Sequence, residues 1–226
     1  ANEIINVYCA GRTDTGVHAI QQVIHFETSS ERELHSWVMG ANSKLPNDIS
    51  VIWALNVDDS FHARFTAKNR TYQYLILNRR SRPAILNGLV TWECQELDFQ
   101  KMVDSSKCLL GEHDFTSFRA VSCQSDSAIR KIYELEINKA KDLFVITVRA
   151  NGFLHHMVRN IAGVLIAIGA GKENMDWIVD VLNAKDRTVA GVTAEPDGLY
   201  LANVEYPEHY SIPKPKKIPA VLNLIV

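Results

Sequence analysis

The order of strand-like and helix-like segments in the second half of the chain restricts its fold most. Residues 129–138 and 143–150 alternate apolar and polar side chains, as strands with one buried face do, and predict an antiparallel pair. The apolar run 153–170 follows and predicts a long helix, and residues 174–184 predict another. Paired strands followed by helices indicate an α+β fold rather than a repeated β-α-β unit.

The remaining segments fit the same class. We predict further strands over residues 4–10, 17–27, 50–57, 70–78, 89–93 and 199–204. We predict further helices over residues 30–43, capped by Ser30, and over residues 98–110. A polar junction around Asp59 predicts an N-terminal α+β domain over residues 1–59 and a C-terminal α+β domain over residues 60–226. The basic stretch 213–217 is predicted to be a loose loop.

Basic residues are concentrated in stretches that lack Asp and Glu, although the net charge of the 226 residues is only −2. Residues 61–92 contain six of them: Arg64, Lys68, Arg70, Arg79, Arg80 and Arg82. Residues 143–172 again contain no acid. This placement fits a polyanion bound on one face, and it also fits a solvated charged face beside a buried helix.

The cysteines and the apolar runs exclude several classes of protein. None of the four cysteines forms a C-x-x-C pair, so no zinc signature is present, and we expect reduced thiols in a cytoplasmic protein. We expect no membrane segment and find no signal peptide, because no apolar run has a spanning length with suitable flanks.

Asp14 lies in the segment Gly-Arg-Thr-Asp-Thr-Gly-Val-His, residues 11–18. Asp-Thr-Gly is also the active-site motif of aspartic proteases, which need two carboxylates that share a proton. This chain has one copy, and Arg12 would keep the carboxylate ionised. An Asp-x-Gly turn without function is the simpler alternative. Several polar groups in one short loop favour a functional role instead.

The extended motif around Asp14 resembles a signature of the tRNA pseudouridine synthase A family. Other family motifs follow in the same order, which makes the resemblance specific. They are Phe-His-Ala-Arg-Phe at 61–65, Arg-Thr-Tyr-Gln-Tyr at 70–74, Asp-Phe-Thr-Ser-Phe-Arg at 114–119, Phe-Leu-His-His-Met-Val-Arg-Asn at 153–160 and Gly-Leu-Tyr-Leu at 198–201. Family members carry a strand, a Tyr-Asp-Gly segment and a helix before the first motif. We therefore expect this chain to be part of a longer protein.

The resemblance implies a pseudouridine synthase fold, in which two mixed α/β, ferredoxin- or RRM-like domains with antiparallel sheets flank a central cleft. It also implies a cytoplasmic homodimer that converts uridines thirty-eight to forty of the tRNA anticodon stem-loop. The reaction breaks the bond from C1′ to N1 and rejoins the base through C5. Because this is an isomerisation, we expect no cofactor and no metal. A non-catalytic RNA-binding domain of the same fold is the alternative.

The same resemblance assigns roles to particular residues. Asp14 is the essential carboxylate, which attacks C1′ or the uracil ring or stabilises positive charge at C1′. Arg12 helps to flip the base, Tyr72 contacts it, and Arg159 pairs with Asp14. The other expected substrate-binding residues are Arg32, Phe61, His62, Ala63, Arg64, Phe65, Lys68, Arg80 and Arg82.

Simpler readings of these residues remain open. Arg12 could form a surface pair with Asp14, Tyr72 could only pack within its strand, and Arg159 could contact phosphate. His155 and His156 are predicted to lie on the helix, one turn before Arg159 and on the same face. Neither has a His or Glu four residues later, which argues against a helical zinc site.

Overall fold

The computed structural model describes residues 3–123 and 125–214. Its strands are β1 (Tyr8–Cys9), β2 (His18–Ala19), β3 (Ile24–His25), β4 (Asn69–Asn78), β5 (Thr91–Glu93), β6 (Gly111–Asp114), β7 (Ile129–Ala140), β8 (Leu143–Ala150) and β9 (Leu199–Glu205). Its α-helices are α1 (Leu34–Asn42), α2 (Phe99–Ser106), α3 (Met157–Gly169) and α4 (Trp177–Ala184). Among the described residues, no helix is long and apolar enough to cross a membrane.

Most of the described strands form one mixed sheet with the order β2-β9-β4-β8-β7-β6. Strand β4 lies near its centre, antiparallel to β8 on one side and to β9 on the other. The short strand β5 continues beside the last residues of β4, and β2 pairs with β9 in parallel. Strands β1 and β3 form a separate antiparallel ladder.

Helix α3 covers one face of this sheet. Its side chains Ile161 and Leu165 are fully buried in a cluster with Tyr74 and Phe144 of the sheet. Burial of each such side chain contributes about 1.5–3 kcal/mol. At Gly163 a Cβ would lie 2.1 Å from the carbonyl oxygen of Val192, so only glycine lets the segment around residue 192 approach the helix.

The opposite face of β4 is also covered. Leu75 and Leu77 belong to a second buried cluster with Val90, Leu143 and Tyr200. Because β4 is packed on both faces and paired along both edges, its backbone is held rigidly. Arg70 and Tyr72 lie at the beginning of this strand and are therefore fixed relative to the sheet.

The α+β class and the main elements agree with the prediction. The pair β7 and β8 is present, as are β4, β9 and the apolar helix α3. Helix α2 begins after Asp98, whose carboxylate accepts a hydrogen bond from the backbone N–H of Lys101 at 3.0 Å. The division into domains near Asp59 stays a prediction.

Several predicted boundaries are wrong. The predicted strand 17–27 is split into β2 and β3. The backbone N–H of Gln21 donates to the carbonyl oxygen of Leu201, and its side-chain Oε1 accepts a hydrogen bond from the N–H of Val204. These bonds turn the chain out of the main sheet. Residues 50–57 form no strand, α1 begins at Leu34 without a Ser30 cap, and β6 was not predicted. Most of the predicted basic loop 213–217 lies outside the described residues.

Candidate active site

The loop between β1 and β2 carries Asp14 in a tight turn. The backbone N–H of Val17 donates to the carbonyl oxygen of Asp14 at 3.0 Å, and Gly16 has a φ of 82°. This left-handed conformation favours glycine. A Cβ on Gly16 would also lie 2.9 Å from Cγ of Pro196, so the turn requires glycine for both reasons.

Hydrogen bonds to neighbouring segments fix the beginning of the loop. Ala10 is buried, and its N–H donates to the carbonyl of Val23 at 2.8 Å. Arg70 on β4 donates through Nη2 to the carbonyl of Ala10 at 3.1 Å, and Gln22 donates to the carbonyl of Gly11 at 2.6 Å. The backbone that leads to Asp14 is therefore fixed by side chains on both sides.

Three basic side chains surround the Asp14 carboxylate, which is about one third exposed. Nε2 of His155 lies 3.3 Å from Oδ1 and forms a hydrogen bond with it. Nη1 of Arg159 donates to Oδ2 at 3.4 Å. Nε2 of His156 lies 3.1 Å from Oδ2. The arrangement places a partly exposed acid within 3.1–3.4 Å of three basic side chains.

Arg159 is itself anchored on the first turn of α3. Its side chain is only 13% exposed, and its Nε donates to the carbonyl oxygen of Ala194 at 2.8 Å. The N–H of Ala194 in turn donates to the carbonyl of Arg159 at 3.2 Å. These bonds leave Nη1 directed at Asp14, so the guanidinium has a single orientation towards the acid.

The predicted helical placement of the two histidines is wrong. Helix α3 begins at Met157, and His156 has a φ of 62°, so the chain bends into a left-handed residue before the helix. Both imidazoles nevertheless reach Asp14, because this bend turns them towards the loop. Nδ1 of His155 lies 3.1 Å from the hydroxyl of Ser122, so both of its ring nitrogens have partners.

The environment of His156 favours its neutral form. Burial is the main cause that lowers the pKa of His156 below its ordinary value, and the nearby His155 and Arg159 lower it further. Asp14, His155 and His156 have ligand atoms within 4.8 Å of one another, which is close enough to bind one metal ion. The guanidinium of Arg159 on the same carboxylate opposes a cation there.

The hydroxyl of Tyr72 lies close to Gly11, at the beginning of the Asp14 loop. A Cβ on Gly11 would be 3.6 Å from the Tyr72 hydroxyl, and the ring packs edge-on against Phe153 with centroids 4.9 Å apart. Burial raises the pKa of Tyr72 to about 12. The phenol is therefore neutral at physiological pH and available as a hydrogen-bond donor beside the acid.

The segment 61–65 divides into buried and exposed residues. Phe61 and Ala63 are buried, so they support the segment rather than offer a surface to a ligand. His62 accepts backbone hydrogen bonds from Arg64 at 3.1 Å and Phe65 at 3.3 Å, which fixes the bend. Phe65 is 73% exposed, with the Arg64 guanidinium 5.4 Å from its ring centroid. This exposed pair is suited to stacking and phosphate contact.

The other predicted substrate-binding residues are spread over the surface. Arg12 and Lys68 are exposed; Arg12 belongs to the Asp14 loop, and Lys68 directly precedes β4. Arg80 and Arg82 are exposed beyond the far end of β4, a strand of ten residues. The guanidinium carbon of Arg32 lies 5.7 Å from the ring centroid of Trp37. The structure therefore does not bring Arg32, Arg80 or Arg82 to Asp14.

Two contributions to the site were not predicted from the sequence. Arg70 was counted among the basic residues, yet its bonds to the carbonyls of Ala10 at 3.1 Å and Arg64 at 2.5 Å join the two loops of the site. The contact of His155 and His156 with Asp14 was also missed. Their position next to Arg159 in the sequence was the available signal, but the left-handed bend cannot be read from it.

An acid of a loop, an arginine of a helix and a tyrosine of a central strand define an enzyme-like site on an α+β scaffold. Residues 106–207 match a family model described as tRNA pseudouridine synthase. The chain is 53% identical over 214 residues to the tRNA pseudouridine synthase A of Nitrosococcus oceani, covering 95% of this chain and 83% of the relative. It is 52% identical to that of Legionella pneumophila strain Lens, covering 94% and 81%, and 51% identical to that of Coxiella burnetii strain Dugway, covering 95% and 82%.

The chain therefore belongs to the tRNA pseudouridine synthase family. The family predicted from the motifs is confirmed, together with the α+β fold class and the enzyme class, an isomerase. The roles of the individual site residues stay predictions.

Proposed function

We propose that this chain isomerises uridine to pseudouridine in the anticodon stem-loop of tRNA, with Asp14 as the essential carboxylate. The observation that carries the proposal is the Asp14 carboxylate, which is about one third exposed and is hydrogen-bonded by Arg159 and His155. A carboxylate oriented in this way can attack C1′ or the uracil ring, or stabilise positive charge at C1′. We keep these routes as alternatives.

The surrounding residues support a flipped nucleotide. A uridine within a stem is not accessible to Asp14, so the base has to leave the stack. Arg12 is exposed two residues before Asp14 and suits the role of stabilising the flipped state. Tyr72 offers a neutral hydroxyl close to Gly11 of the loop for contact with the base. Arg64 and Phe65 suit contact with the neighbouring backbone and bases.

The finer features of the proposal follow from the resemblance to the family. The target nucleotides are positions thirty-eight to forty, and the active form is a cytoplasmic homodimer that needs no cofactor. Arg80 and Arg82 then serve a more distant part of a large RNA substrate, because they lie at the far end of β4. Such contacts position the RNA without reading its sequence.

The test is incubation of the chain with an unmodified tRNA transcript, followed by mapping of pseudouridine through carbodiimide-dependent primer stops. Asp14→Asn is the matched control, because it keeps the shape of the side chain and removes its charge. Product at positions thirty-eight to forty with Asp14 and none with Asn supports the proposal. Tight tRNA binding without any product would favour the non-catalytic RNA-binding domain instead.

A further inference from the structure

Pseudouridine formation needs a base that the family motifs do not identify. After C5 of uracil has bonded to C1′, C5 still carries its original proton. That C5–H bond has to break. Its electron pair then forms the C5=C6 double bond, and the N1=C6 pair moves onto N1, which takes up a proton. The reaction is neutral overall, but a side chain near C5 has to accept the first proton.

Tyr72 is poorly suited to this step. Burial raises the pKa of Tyr72 to about 12. Only about one phenol in 10⁵ is therefore ionised at neutral pH. A neutral phenol is a hydrogen-bond donor and a very weak base, so the abundant form of Tyr72 cannot take the C5 proton.

His155 is already satisfied within the protein. Its Nε2 is hydrogen-bonded to Oδ1 of Asp14 at 3.3 Å, and its Nδ1 lies 3.1 Å from the Ser122 hydroxyl. A neutral imidazole has one donor and one acceptor nitrogen, and both are engaged here. His155 is therefore placed to orient Asp14 and has no lone pair directed at a substrate.

His156 differs from His155 in its partners. Its Nε2 is 3.1 Å from Oδ2 of Asp14, but within the described part of the chain its side chain forms no hydrogen bond. The imidazole is 27% exposed, so a bound base can reach it. An imidazole that is close to the catalytic acid and has an uncommitted lone pair is suited to accept a proton from the same nucleotide.

The backbone at His156 also indicates function. A φ of 62° is an uncommon conformation for a residue other than glycine, and such outliers concentrate at functional sites. The carbonyl of His156 accepts a hydrogen bond from the N–H of Asn160 at 2.9 Å, so the residue lies at the amino end of α3. The positive end of a helix favours a neutral imidazole, which is the form that can act as a base.

We propose that His156 is the base that removes the C5 proton. This inference rests on the proposed function, since C5 comes beside Asp14 only when the target nucleotide is bound there. C5 is bonded directly to C1′ and to C6 of the ring at this stage, so a base in contact with an acid that acts at either atom is also adjacent to C5. The imidazolium that forms is stabilised by the Asp14 carboxylate at 3.1 Å and passes its proton to N1 directly or through water.

The test uses His156→Asn, because asparagine tolerates the left-handed backbone and has no basic nitrogen. His155→Asn, the same change one residue earlier, is the comparison, because it removes a hydrogen bond to Asp14 and should therefore slow the reaction on every RNA alike. Both are compared with the unchanged chain in single-turnover reactions on an anticodon stem-loop RNA, and thermal unfolding and RNA affinity are measured for each. Loss of a general base predicts a rate about 10²- to 10⁴-fold lower for His156→Asn on uridine.

A second RNA carries 5-fluorouridine at the target position and separates two roles of His156. With fluorine at C5, bond breakage at N1 and bond formation at C5 require no proton removal from C5. We therefore expect His156→Asn to form the rearranged fluoronucleoside, whose N1=C6 bond takes up water at C6, at the rate of the unchanged chain, as measured by chromatography after nuclease digestion. With 5-deuteriouridine, we expect a larger isotope effect for His156→Asn than for the unchanged chain.

Two results would overturn the inference. An equal loss on uridine and 5-fluorouridine would mean that His156 acts through Asp14 or the fold, and an undiminished rate on uridine would mean that it takes no part. Both leave the proposed function standing, because the unchanged chain still forms product. Failure of the unchanged chain on both RNAs, despite binding, would refute the proposed function itself.

Discussion

Nη1 of Arg159 reaches Oδ2 of Asp14 at 3.4 Å across 145 residues of sequence. The arginine is held by its bond to the carbonyl of Ala194, and the acid is held by the turn that Gly16 closes. The two charged groups are therefore positioned independently, each by its own segment, before any substrate binds. This independence makes their contact a target for separate tests of catalysis and binding.

Arg159→Ala should lower turnover more than it lowers tRNA affinity. The variant loses a hydrogen bond to a charged group, worth about 1.5–3 kcal/mol, which corresponds to a rate roughly 10- to 100-fold lower if the bond acts in the transition state. The measurements are the single-turnover rate and the dissociation constant for tRNA. Equal losses in rate and affinity would instead indicate that Arg159 contacts phosphate.

Gly16→Ala should impair both stability and turnover. The residue has a positive φ, and its new Cβ would meet Pro196, so the turn that carries Asp14 has to move. We expect a loss of about 1–3 kcal/mol in the free energy of unfolding. Gly88→Ala is the control, because Gly88 has a similar φ of 75° but no atom within 4 Å of the added Cβ.

For Gly88→Ala, unfolding by denaturant should show a smaller loss in the free energy of unfolding, because only backbone strain contributes to it. Its turnover should be retained. If Gly16→Ala and Gly88→Ala behaved alike in both measurements, the contact with Pro196 would have no role in holding Asp14.

The rate should fall at acidic pH through protonation of His156. Its pKa is lowered below 6.5, chiefly by burial, and the groups that act on it are Asp14, His155, Arg159 and Arg187. The neutral base is present above that pKa, so the rate is retained as pH falls to 6.5 and is lost only below it. Folding favours the neutral form, so this group's stability contribution also declines as pH falls below 6.5.

A pH–rate profile on uridine RNA measures this dependence, with the 5-fluorouridine RNA as the comparison. The decrease in rate at acidic pH that we assign to His156 should be absent for 5-fluorouridine, because no C5 proton is removed from it. An identical profile for both RNAs would assign the titration to another step.

Removal of Arg80 and Arg82 should flatten the salt dependence of tRNA binding. Each phosphate contact contributes about 0.7–0.9 to the slope of log affinity against log salt concentration. A double alanine variant should therefore lose between about one and two units of slope if both residues contact backbone. Lys101→Ala is the control, since Lys101 lies on α2 in a pair with Asp98 at 3.4 Å. An unchanged slope in the double variant would exclude both arginines from the contact surface.

The sequence predicted the parts of the structure that are determined locally or by strong periodicity. The apolar period of α3 and the alternation of β7 and β8 are such cases, and the motifs identified Asp14 and Arg159 as neighbours in function. Long-range contacts and one unusual backbone conformation account for these errors. The bonds of Gln21 to β9 split one predicted strand, and the left-handed bend at His156 placed two imidazoles on Asp14 rather than on a helix face.

The Asp14 loop leaves one sheet and enters another, because β1 pairs with β3 and β2 pairs with β9. A segment tied at both ends has few conformations left to lose when a ligand orders it. The entropy of positioning the carboxylate is therefore lost during folding and not during each encounter with RNA. Binding free energy can then be used to distort the nucleotide, because the acid that meets it is already in place.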